Sequence, residues 1–580
     1  MNQPLRVCLV HPSGPLPQAL RELGCEVLVL APELSGVFDV SEELSRRGFE
    51  PDILLQFERL GPRLLLAGLE EVTAVRMFWA LDPHLNAFWQ APYVRLFDVA
   101  FSTQSRWARQ LADCGAPPPL HLPWHAQNRP FVPFDQRPRL SGFVGRLGPT
   151  RSARTWLAAL MRQVAPDDFE LADGLDVDAM LDFYCQTRVV PNESITGEVN
   201  LRLFEAAGCG CVVLAQDLGP EQEALFAPGR EMLVCGDALE LADALRLLAA
   251  RPRLAEAMGR AAWERAQADH MPTARAQAVL NAARAATRRG ATARDAGLWL
   301  ALAAARLCEA GRMDAGAAAG LADMAPEALD ACDAQALVLD ARLRLARLHD
   351  DEEGVGALLR RIEADQERLF QPMSAGAPRL ACTCSMLCLG LGAAAPGQPD
   401  TERALRFGRL AGIPSSEPAP GDPEAGRIRA LLDWAARLQA LGVPPRGGFG
   451  FDPARHVPAS AAECLYAVLH RAPGNTEALR ALDALLSAEP GAEALRVGLL
   501  SDLSLREPQD WRVNLALGLA SLRCFRPGPG LEELRLALHT AAQAGHGAVC
   551  EQALAQADPQ GRIRRALSGE CFRPDGAARA

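Results

Sequence analysis

Residues Pro191–Ala215 read PNESITGEVNLRLFEAAGCGCVVLA, and the order of residue types in this stretch decides the fold. A polar turn containing Gly197 leads into a short amphipathic helix, which gives way to the apolar, β-branched run CVVLA. Loop, helix and buried strand in that order is how α/β domains present a phosphate site. Gly197 has access to backbone angles closed to other residues and lets a ligand approach the main chain. A helix starting just beyond it turns its first N–H groups towards an anion. Glu205 falls one or two turns into that helix, and Ala206, Ala207 and Gly208 are small enough for close packing on a sheet. A short run such as CVVLA suits a parallel sheet buried on both faces. The same residues also describe an ordinary helix-to-strand passage in a Rossmann-like domain without a ligand, so the decision rests on other segments.

Upstream, Arg139–Ser152 reads RLSGFVGRLGPTRS, an apolar strand ending in a glycine turn with Arg146 and Arg151 on either side of Gly148 and Pro149. Guanidiniums offer planar, bidentate donors to phosphate oxygens. The C-terminal edge of a parallel sheet is where such folds bind ligands. Arg146 and Arg151 therefore form the second half of a site with the Gly197 loop. Near the start, the apolar run RVCLV opens into VHPSGPLP, whose His11 and Ser13 are weaker site candidates, although a Pro- and Gly-rich turn also accounts for the loop.

Further motifs lie in order between about Val72 and His270. FWALDPHLNAFW contains Trp79, Asp82, Pro83 and His84; FDVAFSTQSRW and LPWHAQNRPF follow; the basic loop after FVG comes next, and then Asn192, Ser194, Gly197, Asn200, Arg202, Phe204 and Glu205. In this combination the chain resembles the GT-B glycosyltransferases, and within them the spore-maturation branch. The resemblance covers the first half of the chain. It implies a nucleotide-diphosphate sugar held mainly by the second of two Rossmann-like domains. Glu205 would then meet the ribose, Arg146 and Arg151 the diphosphate, and Gly197 the sugar. Asn192, Ser194, Asn200 and Arg202 would complete the donor site, with Trp79 on the acceptor side. One departure stands out: the retaining branch carries two glutamates eight positions apart, and the place of the first is Gly197 here, with Glu198 beside it. The stereochemical outcome is thereby open.

Catalysis implied by this resemblance is positioning plus stabilisation of charge on a leaving diphosphate by preorganised donors. Asp82 and His84 are the candidate bases, the imidazole having a near-neutral intrinsic pKa. The alternative for Asp-Pro-His at a strand exit is a turn with an Asx hydrogen bond. Asp176 and Asp178 have the Asp-x-Asp spacing of a metal-dependent transferase, but a helix follows and an N-cap role is the simpler reading. No metal and no cofactor beyond the sugar donor are expected.

The chain has 580 residues, enough for more than two α/β domains. Strand and helix signals alternate at first, giving expected domains at 1–135 and 136–275. After about Thr273 the strand signals fade, and residues 276–580 read as an α-helical repeat or bundle, broken at AGRMDAG, MAPEAL, SAGAP and PPRGGFG. RAPGNTEALRAL from Arg471 recurs as REPQDWRVNLAL from Arg506, which resembles a tetratricopeptide unit, with an irregular bundle as the alternative. Pro414–Gly426 reads as a linker. The net charge is −11 and Lys is absent, so every cationic side chain apart from the ten histidines is Arg. An acidic chain without a basic tract argues against nucleic acid as the main ligand. The opening residues lack a leader pattern, no apolar run reaches membrane-spanning length, and the 16 cysteines show no paired zinc or secreted-domain spacing. Cys382, Cys384 and Cys388 lie in an apolar helical context, and a reducing cytoplasm is expected. Two function classes result: a transferase acting on a protein or surface glycan, with the helical half recruiting the acceptor or another protein partner, and a catalytically silent scaffold. Under the first, a chain ended near residue 290 is expected to stay folded and bind donor.

Overall fold

The computed structural model describes residues 3–148, 151–290, 292–324, 332–370, 376–391, 400–413 and 422–569. The apolar runs form short parallel strands, numbered in chain order: β1 (Arg6–Val10), β2 (Glu26–Leu30), β3 (Gly36–Asp39), β4 (Ile53–Phe57), β5 (Leu64–Ala67), β6 (Val75–Ala80), β7 (Val99–Ser102) and β8 (Leu120–His121). After them come β9 (Arg139–Val144), β10 (Phe169–Ala172), β11 (Thr187–Asn192), β12 (Val212–Gln216) and β13 (Met232–Cys235). The first sheet has the order β2-β1-β4-β6-β7-β8, the second β10-β9-β11-β12-β13, and β3 pairs with β5 alone. Residues of β4 are buried throughout, as are all but the first of β6, which is how strands covered on both faces read in sequence. Two Rossmann-like parallel sheets followed by a helix-rich remainder is the expected fold class. Of the expected breaks, residues 149–150, 325–331, 371–375 and 414–421 lie outside the described residues, and with them Pro149, most of MAPEAL and most of the proposed linker.

The chain forms two compact units, Met1–Pro123 with Ala276–Ala478, and Trp124–Arg275 with Leu479–Ala580. Each α/β body thus carries its own share of the helices. In the first unit, Leu298, Leu302 and Leu307 of the helix Ala293–Glu309 enter the same core as Leu54, Leu65 and Phe78 of the strands. The chain is also tied to the first sheet at Arg289, whose amide donates to Asp98 Oδ1 at 2.7 Å, while Asp98 pairs with Arg76 at 2.7 Å. In the second unit, Leu239 clusters with Leu522, Leu531, Leu534, Leu554 and Ile563 of the last helices, and Phe525 packs with Phe143 and Leu214. The two motif copies fall at equivalent places: Arg471 and Arg506 each end a helix, and the next helices begin at Thr476 and Trp511.

A buried ionic network fastens the helices of the first unit. Glu309 meets Arg446 at 2.9 Å and Arg306 and Arg344 at 3.4 Å, Asp340 meets Arg306 and Arg344 at 3.0 Å, and Arg446 reaches Glu463 at 2.7 Å. Burial would raise the Glu309 carboxyl, but Arg446, Arg344 and Arg306 outweigh it and hold it at about 2. Arg344 also donates to the carbonyls of Val457 at 2.5 Å and Pro458 at 3.2 Å, which pins the segment after Arg446.

These cores argue against the expectation that a chain ended near residue 290 stays folded. The cut removes apolar helices from both cores and leaves strand-covering surface in water. Such a fragment is expected to bind a hydrophobic dye and to lack a cooperative calorimetric transition; a sharp transition would refute this. In the full chain, Leu302→Ala is expected to cost about 2–5 kcal/mol in urea unfolding.

Candidate active site

The second sheet brings its chemistry together where β9 and β11 end. Past β9 the chain turns at Gly145, and the guanidinium of Arg202 lies 4.2 Å from the Phe143 ring centroid, with that of Arg154 at 5.5 Å. A Cβ on Gly145 would sit 3.3 Å from Arg154 Nη1 and 3.4 Å from Arg202 Nη2. Two guanidiniums therefore converge on the glycine turn, held by an aromatic face that attracts cations. Arg154 is buried and donates through Nε to Glu193 Oε2 at 2.9 Å. Burial lowers its pKa, and Glu193 opposes that shift. Arg202 Nη1 donates to Asn192 Oδ1 at 3.0 Å and to the Glu193 carbonyl at 3.4 Å, which Asn200 Nδ2 reaches at 2.8 Å. Asn192, Asn200 and Arg202 are thus brought together.

Arg146 follows the same turn but is 78% exposed, with Asp173 at 4.0 Å, and Arg151 stands at the N-cap of the helix Ser152–Val164. Arg154 and Glu193 are absent from the residues that the sequence motifs singled out. The available signal for Arg154 was its i,i+3 spacing from Arg151, which sets both on one side of the first helical turn. Glu193 sits between two singled-out residues, and its role comes from a partner far along the chain.

Glu205, in the helix Leu201–Gly208, is buried. Burial pushes its carboxyl from an ordinary 4.5 up to about 7, against the pull of Arg202. The loop before this helix is braced from within. Ser194 donates its amide to Gln216 Oε1 at 2.8 Å, and Glu198 accepts from the Ser194 hydroxyl at 2.8 Å, the Ile195 amide at 3.2 Å, the Thr196 amide at 2.8 Å and the Thr196 hydroxyl at 2.9 Å. Glu198, the neighbour of the missing first glutamate, is therefore a loop brace. Gly197 has φ +82°, and a Cβ there would lie 2.2 Å from the Pro490 carbonyl oxygen.

The first unit holds the remaining candidates. Trp79 is a core residue of β6: it is 2% exposed, donates Nε1–H to the Leu122 carbonyl at 3.0 Å and lies 5.2 Å from the Phe57 ring. The amides of Leu81 and Asp82 donate to Glu58 Oε2 at 2.7 and 2.8 Å, so a buried glutamate outside every sequence motif shapes this strand exit. Burial raises the Glu58 carboxyl. Asp82 precedes the helix Pro83–Tyr93 without making a side-chain capping bond to it. His84 is buried, with its ring 5.6 Å from that of Trp107. A Cβ on Gly447 would lie 2.1 Å from the His84 carbonyl oxygen, and one on Gly448 would lie 2.3 Å from that of Leu85. His11 follows β1 at φ +51° with Nε2 3.0 Å from the Pro32 carbonyl, and Ser13 lies partly exposed two residues on. Asp176 caps the helix Val177–Cys185 through the Ala179 amide at 2.8 Å, and Asp178 pairs with Arg129 at 2.7 Å. Among the described residues, no group of three or more His, Cys, Asp or Glu is placed to hold a metal. No helix among them is long and apolar enough to cross a membrane.

The raised pKa of Glu205 has a measurable consequence. Between about pH 4.5 and 7 the folded chain keeps a proton that the unfolded chain loses, so this residue lowers stability as pH rises through that window. The full cost is on the order of 3 kcal/mol. Glu205→Gln is expected to be more stable than wild type at pH 8 and no different at pH 4, by urea unfolding at both pH values. A constant difference would remove burial as the cause.

Residues 153–281 match the family model described as Glycosyl transferase-like. No curated protein matches significantly. Among solved structures, a sucrose-phosphate synthase from Thermosynechococcus elongatus is similar at 14% identity and TM-score 0.36, over 48% of this chain and 98% of that one. A glycosyltransferase from Rickettsia africae gives 9% identity and TM-score 0.35, over 49% and 99%. HepE from Anabaena, in complex with UDP and glucose, gives 11% identity and TM-score 0.34, over 48% and 100%. The loop at Gly197, the helix of Glu205 and all but the first residue of the helix that follows the Gly145 turn fall inside residues 153–281, the stretch that is similar to this glycosyl transferase-like family.

Proposed function

We propose that this chain transfers a sugar from a nucleotide-diphosphate sugar to a protein or surface-glycan acceptor, without a metal, and with the fold of the GT-B spore-maturation branch. The observation that carries the reading is the convergence of Arg154 and Arg202 on the Gly145 turn, inside or beside the family match. Diphosphate charge developing there would meet guanidiniums already held in place by Phe143, Asn192 and Glu193, so little reorganisation is needed as the bond breaks. Arg146 and Arg151 are the outer partners of the same diphosphate. Glu205 takes the ribose, where its carboxylate exchanges an apolar setting for a hydroxyl hydrogen bond. Ser194 and Gly197 lie at the sugar end. Asp82 and His84 are the base candidates on the first body, with His11 and Ser13 as acceptor contacts. The helical region, built into both bodies, offers its outward faces to the acceptor or to a protein partner. A silent scaffold has no physical need for four arginines about one glycine turn.

A panel of nucleotide sugars should contain one that raises the melting temperature, because ligand at 100 times its Kd stabilises the native state by about 2.7 kcal/mol. No shift from any member would defeat the reading. Arg146→Ala and Arg202→Ala are each expected to weaken that ligand by about 1.5–3 kcal/mol in calorimetric titration. Glu205→Ala should weaken the nucleoside diphosphate more than inorganic diphosphate. An equal loss for both would assign Glu205 to the fold alone.

A further inference from the structure

Two glycines far apart in sequence meet backbone to backbone in the second unit. Gly197 has φ +82° and Gly491 has φ +81°. A Cβ on Gly197 would lie 2.2 Å from the Pro490 carbonyl oxygen, and a Cβ on Gly491 would lie 2.1 Å from the Gly197 nitrogen and 2.6 Å from the Thr196 carbonyl carbon. Neither position has room for a side chain, and both backbones occupy the left-handed region that favours glycine. The opposite side of the loop is held by Glu198, and its start by Gln216.

We propose that the turn Glu489–Gly491 is the positioning element of the sugar-side loop Ser194–Glu198, so that the helical region sets the geometry with which the loop meets the donor sugar. This rests on the donor site proposed above. The turn is itself well anchored. It joins the helices Thr476–Ser487 and Glu493–Arg506, which Arg496 and Asp483 link at 2.8 Å, and it closes with the Glu489 amide on the Leu486 carbonyl at 3.0 Å. It also walls a cavity of about 380 Å³ at the C-terminal ends of β12 and β13, whose lining includes Gln216, the residue that holds the Ser194 amide. A shift of the turn therefore reaches the loop directly, at Thr196 and Gly197. The Gly145 turn and its arginines lie outside this contact, so the effect falls on the sugar and spares the diphosphate.

The test compares Gly491→Ala with Gly545→Ala in the full chain. Gly545 has φ +75° and nothing within 4 Å of an added Cβ, so it carries the same backbone strain without the contact. Probes are UDP-glucose with UDP, and GDP-mannose with GDP, by calorimetry, together with amide hydrogen exchange at Thr196 and Gly197. Relative to Gly545→Ala, Gly491→Ala is expected to bind the nucleotide sugar at least tenfold more weakly, to keep the free nucleoside diphosphate within twofold, and to exchange the two loop amides at least tenfold faster. Unchanged exchange overturns the proposal, because the turn then does not hold the loop. Faster exchange with equal loss of both ligands, or with no loss, also overturns it and leaves the contact purely structural. If the wild-type chain binds neither pair, the donor site itself fails and the proposal with it, while the exchange data still report whether the contact exists. Pro490→Ala, which adds no atom and relaxes the turn, gives the same comparison at smaller amplitude if Gly491→Ala melts below the assay temperature.

Discussion

A parallel sheet has to be covered on both faces, because its strands are apolar on both and its crossover connections place helices there. In this chain the covering extends beyond the crossover helices. The helix Ala293–Glu309 sinks Leu298, Leu302 and Leu307 into the core of the first sheet, and the last helices close over Leu239 on the second body. At about 25 cal/mol for each Å² of apolar surface buried, several leucines withdrawn from water amount to about as much as the margin by which most domains are stable. The helical region is accordingly part of both folding units, and its polar interior follows from that packing. The acids Glu309, Asp340 and Glu463 are enclosed with Arg306, Arg344 and Arg446, so each buried charge has its counter-charge.

Close backbone contact at glycine recurs at the candidate loops. Gly447 and Gly448 lie on the carbonyls of His84 and Leu85 in one unit, and Gly491 lies on Thr196 and Gly197 in the other. A Cβ would separate the surfaces by more than these contacts allow, so glycine here permits main chain to rest on main chain. Loops that must meet a ligand are thereby held by elements from the far end of the sequence. The same logic governs the charges. Arg202 and Arg154 stay near Phe143 because Asn192 and Glu193 receive their N–H groups, while Arg146, whose Asp173 partner is 4.0 Å away and itself exposed, extends into solvent.

Much of the site is legible in the amino-acid sequence. Asn192, Asn200 and Arg202 belong to one closely spaced motif, and a strand end followed by a helix start brings such residues together by local geometry alone. Asp176 reads correctly as a helix cap for the same reason. Trp79 reads as an acceptor-side residue because its motif resembles a ligand-facing one, yet β6 is a central strand and turns the indole into the core. Glu58 and Arg154 carry little local signal. Their importance comes from partners 23 and 39 positions away in the chain.

What the sequence determined by itself is everything governed by short-range periodicity and residue chemistry: two parallel α/β bodies, a helical remainder, glycine turns at strand ends, and an all-arginine set of permanent cations. What only the tertiary structure decided is how the helices are shared between the bodies and which turns rest on which loops. Periodicity shows that a helix has an apolar face and says nothing of the surface that covers it. The partner is selected by shape and burial across hundreds of residues, as when Gly491 comes to rest on Gly197.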